Sequence, residues 1–106
     1  MTEPDYSRSL NSPGEPVTDK IRIHFRQRGN KIELFIVQYY ALINGRWRSI
    51  MRFDACHGYP HQHTYYLSGE QRILTLAGDL NTNFTEASKF ITRNFKKIKE
   101  NFMLNH

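Results

Sequence analysis

Five residues suited to acid–base or phosphate chemistry lie within twelve positions of each other: Arg52, Asp54, His57, His61 and His63. Histidine exchanges a proton near neutral pH, and arginine holds a phosphate through two hydrogen bonds. Aspartate can orient a histidine and fix its tautomer. We therefore predict that these five are the catalytic residues of a metal-independent endoribonuclease. In such an enzyme a base activates the 2′-hydroxyl, an acid protonates the leaving 5′-oxygen and a cation stabilises the phosphorane.

The same residues allow plainer interpretations. His61 and His63 are two residues apart, so on a strand their side chains point to the same face. With Asp54 or His57 they would supply three ligands, a number compatible with catalytic zinc. His57 would otherwise only cap a turn, and Asp54 would only form a structural ion pair. The interpretation we adopt contains no metal and no cofactor. The single cysteine excludes an intrachain disulfide framework and a cysteine-based zinc finger.

The charge balance favours an anionic partner. The chain has 15 Lys and Arg against 10 Asp and Glu, and residues 1–18 contain one basic and three acidic residues. Residues 19–106 therefore hold 14 basic and seven acidic residues. A body of this charge favours RNA, DNA or an acidic protein partner. No apolar run approaches the roughly 20 residues of a membrane span and no signal peptide is visible, so we predict a cytoplasmic protein without membrane contact.

The elements that position these residues are predicted from turns and periodicity. Asn44-Gly45 and Gly29-Asn30 are hairpin turns, and they separate predicted strands at about 19–28, 31–43, 46–56 and 61–67. Residues 83–106 have a helical apolar stripe with Thr85 as the N-cap. The stripe consists of Phe84, Ala87, Ile91, Phe95, Ile98 and Phe102.

These elements predict an α+β fold: an antiparallel β-meander of four to five strands with a C-terminal α-helix packed on one face. Residues 1–18 hold three of the four prolines and few aliphatic residues. They are predicted to be a disordered arm, followed by a single domain at 19–106. Residues 68–83 fit a strand and a helix equally well.

The hairpin turns also predict a register, with Arg28 opposite Lys31 and Ile43 opposite Arg46. Alternation then places one set of side chains under the helix: Ile21, Ile23, Phe25, Leu34, Ile36, Tyr40, Leu42, Trp47, Met51 and Phe53. A four-residue turn at 57–60 would set Asp54 opposite His63, which directs the histidines to the other face.

That other face is predicted to be basic, aromatic and partly apolar. The predicted nucleic-acid-binding residues are Arg22, His24, Arg26, Arg48 and Tyr65 on the sheet, and Lys89, Arg93, Lys96 and Lys97 on the exposed side of the helix. Phe35, Val37, Ile43 and Ile50 would form an apolar patch there, which either residues 68–83 or a second copy of the chain would cover. Of these two, we favour a homodimer.

Residues 45–63, GRWRSIMRFDACHGYPHQH, resemble the core of the TumE-type family of small toxin–antitoxin proteins. The matching positions are Arg52, Phe53, Asp54, His57, Pro60, His61 and His63. The resemblance implies a translation-blocking toxin with ribonuclease activity that is neutralised by a partner antitoxin. It equally fits a related accessory protein of a defence locus that has kept the fold and lost the chemistry.

Three interpretations of the function follow. The first is a small, basic, nucleic-acid-directed protein, a ribonuclease-like toxin of a toxin–antitoxin or defence system. The second is a non-enzymatic, dimeric module that binds nucleic acid or a nucleoprotein effector in a defence or mobile-element system. The clustered histidines favour the enzyme, whereas positive charge and aromatic rings suffice for the module. A protein–protein adaptor is the third and plainest interpretation.

Overall fold

The computed structural model describes residues 1–56 and 58–104. Its elements are β1 (Asp5–Ser9), β2 (Asp19–Arg28), β3 (Lys31–Ile43), β4 (Arg46–Asp54), β5 (His61–Tyr65), β6 (Gln71–Thr75) and α1 (Leu80–Leu104). The strands form one antiparallel sheet in the order of the sequence. Helix α1 packs on one face of this sheet, so the predicted α+β fold with a C-terminal helix is confirmed. The predicted number of strands, four to five, was too low.

The two predicted hairpin turns are present. Asn44 and Gly45 have φ angles of 51° and 78°, the left-handed pair that a two-residue turn of type I′ requires. Arg28 lies opposite Lys31, and Ile43 lies opposite Arg46, as predicted. These turns are why the boundaries of β2 and β3 agree with the sequence-based prediction.

Part of the predicted disordered arm is the strand β1. It pairs with β2 from Asp5 opposite His24 to Ser9 opposite Lys20. All of its side chains are exposed, so the backbone ladder and ion pairs order it rather than apolar burial. Because the prediction of disorder considered only apolar burial, it missed an edge strand of this kind.

Two β-bulges change which residues of β3 and β4 lie under the helix. One extra residue, Glu33, interrupts the pairing of β2 with β3, and another, Ile50, interrupts the pairing of β3 with β4. Each extra residue reverses the alternation of side chains beyond it. The buried apolar residues of β3 are therefore Phe35, Val37, Tyr39, Ala41 and Ile43.

The predicted sheet face is thus wrong for five of the apolar residues expected under the helix and right for Met51 and Phe53. Leu34, Ile36, Tyr40, Leu42 and Trp47 lie on the sheet face away from α1, which we call the open face. Met51 and Phe53 lie under the helix as predicted, since the second bulge restores the alternation that the first one changed. The patch of Phe35, Val37, Ile43 and Ile50 is buried under α1, so it provides no argument for a homodimer.

Helix α1 begins earlier than predicted. Asp79 caps it, accepting a 2.7 Å hydrogen bond from the backbone N–H of Thr82, and the predicted cap Thr85 lies inside the helix. The predicted apolar stripe is confirmed: Ala87, Ile91, Ile98 and Phe102 are buried, and Phe84 and Phe95 pack against the core. In the part of the chain that the structure describes, no helix has the length and hydropathy needed to cross a membrane.

A buried polar cluster joins the sheet to the segment after β1 and to α1. Asp19, which is 4% exposed, accepts hydrogen bonds from the Tyr39 hydroxyl and the Asn11 amide and lies 3.4 Å from Lys99 Nζ. Burial alone would raise the pKa of Asp19, but hydrogen bonds from Tyr39, Asn11 and Thr18 and the Lys99 charge bring this pKa below its usual value. Burial and the neighbouring carboxylate raise the pKa of Tyr39.

Candidate functional site

The pairing of β4 with β5 brings four of the five predicted catalytic residues together on the open face. Arg52 lies opposite His63, and Asp54 lies opposite His61. The predicted register differs from this one by two residues because the connection spans residues 55–60: the Ala55 N–H donates to the Phe35 carbonyl and not to β5. A shift of two residues preserves side-chain alternation, so both histidines lie on the open face as predicted.

Asp54 is the hub of the site. Its Oδ2 accepts a 2.8 Å hydrogen bond from Arg52 Nε and lies 3.1 Å from His63 Nε2. Asp54 and His63 are mostly buried, with side-chain exposures of 15% and 12%. Charge-assisted hydrogen bonds of this length are stronger than neutral ones. The carboxylate therefore fixes both the guanidinium and the imidazole.

The carboxylate also selects the tautomer of His63. Arg52 Nη2 lies 3.3 Å from His63 Nε2, but guanidinium only donates and carboxylate only accepts. The shorter contact, with Asp54, requires a proton on Nε2. The basic nitrogen of His63 is then Nδ1, which is shielded from solvent and has no hydrogen-bond partner. A buried polar atom without a partner is uncommon in folded proteins, so this nitrogen marks His63 as a candidate functional group.

His61 and His63 border an open cavity of about 410 Å³. Its lining is formed by Ile36, Arg52, Asp54, Cys56, His61, His63 and Ile73. The rings of His61 and His63 are 6.4 Å apart, and Tyr65 stacks on His63 at 6.3 Å. Partial desolvation and the Asp54 charge raise the pKa of the exposed Cys56 thiol, which disfavours the nucleophilic thiolate. The fifth predicted catalytic residue, His57, lies outside the described residues.

The predicted zinc alternative finds no support in the described part of the chain. Among residues 1–56 and 58–104 no group of three or more His, Cys, Asp and Glu side chains is arranged to hold a metal ion. The version of that site with His57 lies outside those residues. The Asp54 carboxylate instead contacts the side chains of Arg52 and His63.

Three predicted nucleic-acid-binding residues lie on the open face but are paired with acidic side chains. Arg22 Nη2 lies 2.8 Å from Asp5, His24 Nε2 lies 3.2 Å from Glu3, and Arg26 Nε lies 3.3 Å from Glu33. Two of these partners come from the segment predicted to be disordered. Neutralisation by the carboxylates weakens the positive field that the sequence predicts for this face.

The remaining predicted binding residues are divided between the two faces. Arg48 lies on the helix side because the bulge at Ile50 reverses its direction, and its guanidinium is 5.5 Å from the Phe102 ring. Tyr65 lies beside His63 on the open face. The exposed side of α1 carries Lys89, Arg93, Lys96 and Lys97. The sheet therefore separates the helix cations from the histidine cavity.

Sequence reasoning missed the apolar part of the site. Ile36 and Ile73 line the cavity beside the histidines. Ile36 was expected under the helix, and the segment holding Ile73 could not be assigned. The β-branched and aliphatic run at residues 73–76 was the available signal for a strand.

Comparisons with known proteins identify a family for this chain. A family model described as "Domain of unknown function (DUF7718)" matches residues 1–106. No curated protein and no solved structure is significantly similar to the chain. None of these comparisons links the chain to the TumE-type proteins, so that resemblance depends on residues 45–63 alone.

Proposed function

The chain belongs to the DUF7718 family, and we propose that it is a nucleic-acid-directed protein that cleaves RNA without a metal ion. The observation that carries the proposal is the shared Asp54 carboxylate, which holds Arg52 and His63 beside His61 at one cavity. A structural ion pair alone would need only Arg52 and Asp54. The two imidazoles add the proton-transfer groups that transesterification requires.

The proposed reaction is an internal transesterification. A histidine takes the proton of the 2′-hydroxyl, and the 2′-oxygen attacks phosphorus. The bond from phosphorus to the 5′-oxygen breaks, and a second, protonated histidine gives its proton to that oxygen. The products are a 2′,3′-cyclic phosphate and a 5′-hydroxyl. The groups have exchanged one proton each way, so atoms and charge balance.

The geometry supports a division of roles. The His61 ring has no hydrogen-bond partner among the residues that the structure describes, so both of its nitrogens are available for proton transfer. His63 has Nε2 committed to Asp54 and its Nδ1 unpartnered, which suits a second proton-transfer group of fixed tautomer. Arg52 is about one-third exposed and supplies positive charge for the phosphorane.

The test is a cleavage assay on single-stranded RNA with the full chain. We expect His61→Ala and His63→Ala each to lower the rate by about 10²–10⁴-fold, with EDTA having no effect on the wild type. Thr64→Ala is the matched control, because Thr64 lies between His63 and Tyr65 but pairs with the buried Met51 on the other face. Loss of cleavage in EDTA, or equal rates in all four proteins, would contradict the proposal.

The toxin role implied by the TumE-type resemblance makes a separate prediction in cells. Induced expression of the wild type should stop growth, and expression of His63→Ala at the same level should not. A wild type that cleaves RNA in vitro without affecting growth would leave a ribonuclease that is not a toxin.

One observation favours the second candidate, a non-enzymatic nucleic-acid-binding module. In the described residues, Lys89, Arg93 and Lys96 on α1 have no acidic partner within ion-pair distance, whereas Lys97 Nζ lies 3.7 Å from Glu100. Unpaired cations along a helix suit contacts with phosphates. This candidate predicts salt-sensitive binding of RNA or DNA that weakens on replacing Lys89, Arg93 and Lys96 by alanine, without cleavage by any variant.

A further inference from the structure

The two edges of the sheet differ in chemistry. The edge strand β1 is polar, follows Pro4 and joins β2 through the Asp5–Arg22 ion pair. Charged side chains and proline are common protections against pairing of edge strands. The other edge strand, β6, has the sequence QRILT with one charge, Arg72, and its Ile73 and Leu74 are 52% and 42% exposed. Among the described residues, β6 pairs only with β5.

The hydrogen bonds to β5 show which backbone groups of β6 are free. The Leu76 N–H donates to the Pro60 carbonyl, and the Tyr66 N–H donates to the Glu70 carbonyl. In a strand the N–H and C=O of one residue point the same way, and successive residues alternate. The even-numbered residues therefore face β5, and Gln71, Ile73 and Thr75 turn their N–H and C=O groups to the free edge.

We propose that β6 is a homodimer interface in which two copies pair antiparallel about a two-fold axis at Ile73. In this register Ile73 lies opposite Ile73 of the second copy, and Gln71 lies opposite its Thr75. All three outward-facing residues become hydrogen-bonded pairs, and this satisfies six N–H groups across the dimer. We infer a second copy of this chain as the occupant, because self-pairing satisfies the free groups of both strands and sets the single charge of β6, Arg72, opposite Leu74 and not opposite another charge.

The side chains suit the same register. The two Ile73 side chains meet on the open face, and an apolar pair at this position stabilises an antiparallel ladder. On the helix face Leu74 lies opposite Arg72 of the second copy, where the arginine stem covers apolar surface and its charge remains in water. No like charges are brought into opposition.

The dimer would join the two histidine cavities. Arg52 lies opposite His63, and His63 lies opposite Ile73, which lines the cavity. The pairing continues this cross-strand row into the second copy, whose Ile73 borders the first cavity. At about 4.8 Å between strands, three strand spacings place the two His63 positions about 14 Å apart. This inference concerns assembly and does not depend on the proposed cleavage.

Sedimentation of the full chain tests the interface. We expect the Kd of this interface to be about 10 µM, as for a transient complex. At about 200 µM the wild type should then be mostly dimeric. Ile73→Pro should weaken dimerisation by about 10- to 100-fold, since two interchain hydrogen bonds are lost. The free N–H of Ile73 makes no bond to β5, so this variant should keep the wild-type circular dichroism spectrum. A wild type that remains monomeric at 200 µM would overturn the proposal.

Cysteine crosslinking tests the register and needs no proline variant. In a Cys56→Ser background, Ile73→Cys should form an intermolecular disulfide on mild oxidation, because hydrogen-bonded pairs have Cα atoms about 5.5 Å apart. Leu74→Cys is the matched control, since its counterpart in the second copy is Arg72 and not itself. A dimer in which Leu74→Cys crosslinks and Ile73→Cys does not would contradict this interface.

Discussion

Tyr39→Phe removes one hydroxyl from the buried cluster and should destabilise the fold measurably. Tyr39 is fully buried, and its hydroxyl donates to Asp19, which is 4% exposed. A hydrogen bond to a charged group contributes about 1.5–3 kcal/mol. The Asp19 carboxylate keeps Asn11, Thr18 and Lys99 as partners, so we expect the lower part of this range, about 1.5 kcal/mol. For a domain of this size that lowers Tm by roughly 6–12 °C.

The loss should depend on pH in a specified direction. The folded-state pKa of Asp19 is below its unfolded value of 3.8, so its contribution to stability is present above 3.8 and is lost as pH falls through the folded pKa. Tyr39→Phe removes a hydrogen bond that lowers this pKa and brings it closer to the unfolded value. The difference in unfolding free energy between wild type and variant should therefore be full near pH 7 and shrink below about pH 4.

Urea unfolding followed by circular dichroism at several pH values measures both effects. Tyr40→Phe is the matched control: its hydroxyl donates to the neutral Gln38 side chain at 2.7 Å. That variant should lose about 0.5–1 kcal/mol, with no dependence on pH between 3 and 7. A Tyr39→Phe difference that stays constant across this range would refute the assigned role of Asp19.

Three further predictions address the helix, the core and the site. Asp79→Ala should lower the unfolding free energy by about 1 kcal/mol through loss of the N-cap, while Thr85→Ala should change it little. Thermal melts in which Thr85→Ala is the more destabilising variant would instead support Thr85 as the N-cap. Ile91→Ala should cost about 2–5 kcal/mol because this fully buried side chain leaves a cavity, and a cost below 1 kcal/mol in urea unfolding would place α1 off the sheet. Asp54→Asn should lower RNA cleavage at least tenfold, since the amide no longer fixes the His63 tautomer, and a wild-type rate in the same assay would remove Asp54 from the mechanism.

Local signals made β2, β3 and β4 predictable, because tight turns separate these strands. Asn44-Gly45 demands a tight turn whatever surrounds it, because both residues take positive φ. The position of each turn therefore sets where one strand ends and the next begins. The apolar stripe of α1 was equally visible, since Ala87, Ile91 and Phe102 recur at helical spacing.

The faces of β3 were not predictable in the same way. A bulge adds one residue without any compositional signature, and Glu33 and Ile50 are unremarkable in sequence. The two bulges nevertheless cancel for residues 51–54, so Arg52 and Asp54 lie on the predicted face although the intervening strand does not.

The electrostatics of the open face required the tertiary structure. Asp5 and Glu3 are far from Arg22 and His24 in sequence, and only the pairing of β1 with β2 brings them together. A charge count could not detect this neutralisation. It could not detect the separation of the helix cations from the histidine cavity either.

The chemical nature of the RNA ends tests the central claim most directly. Wild-type protein incubated with a defined RNA in EDTA should give 2′,3′-cyclic phosphate and 5′-hydroxyl termini, and the same RNA with a single 2′-deoxynucleotide at the scissile position should resist cleavage there. Products with 3′-hydroxyl and 5′-phosphate termini, or unchanged cleavage of the 2′-deoxy substrate, would contradict proton transfer by the Asp54-anchored histidine site.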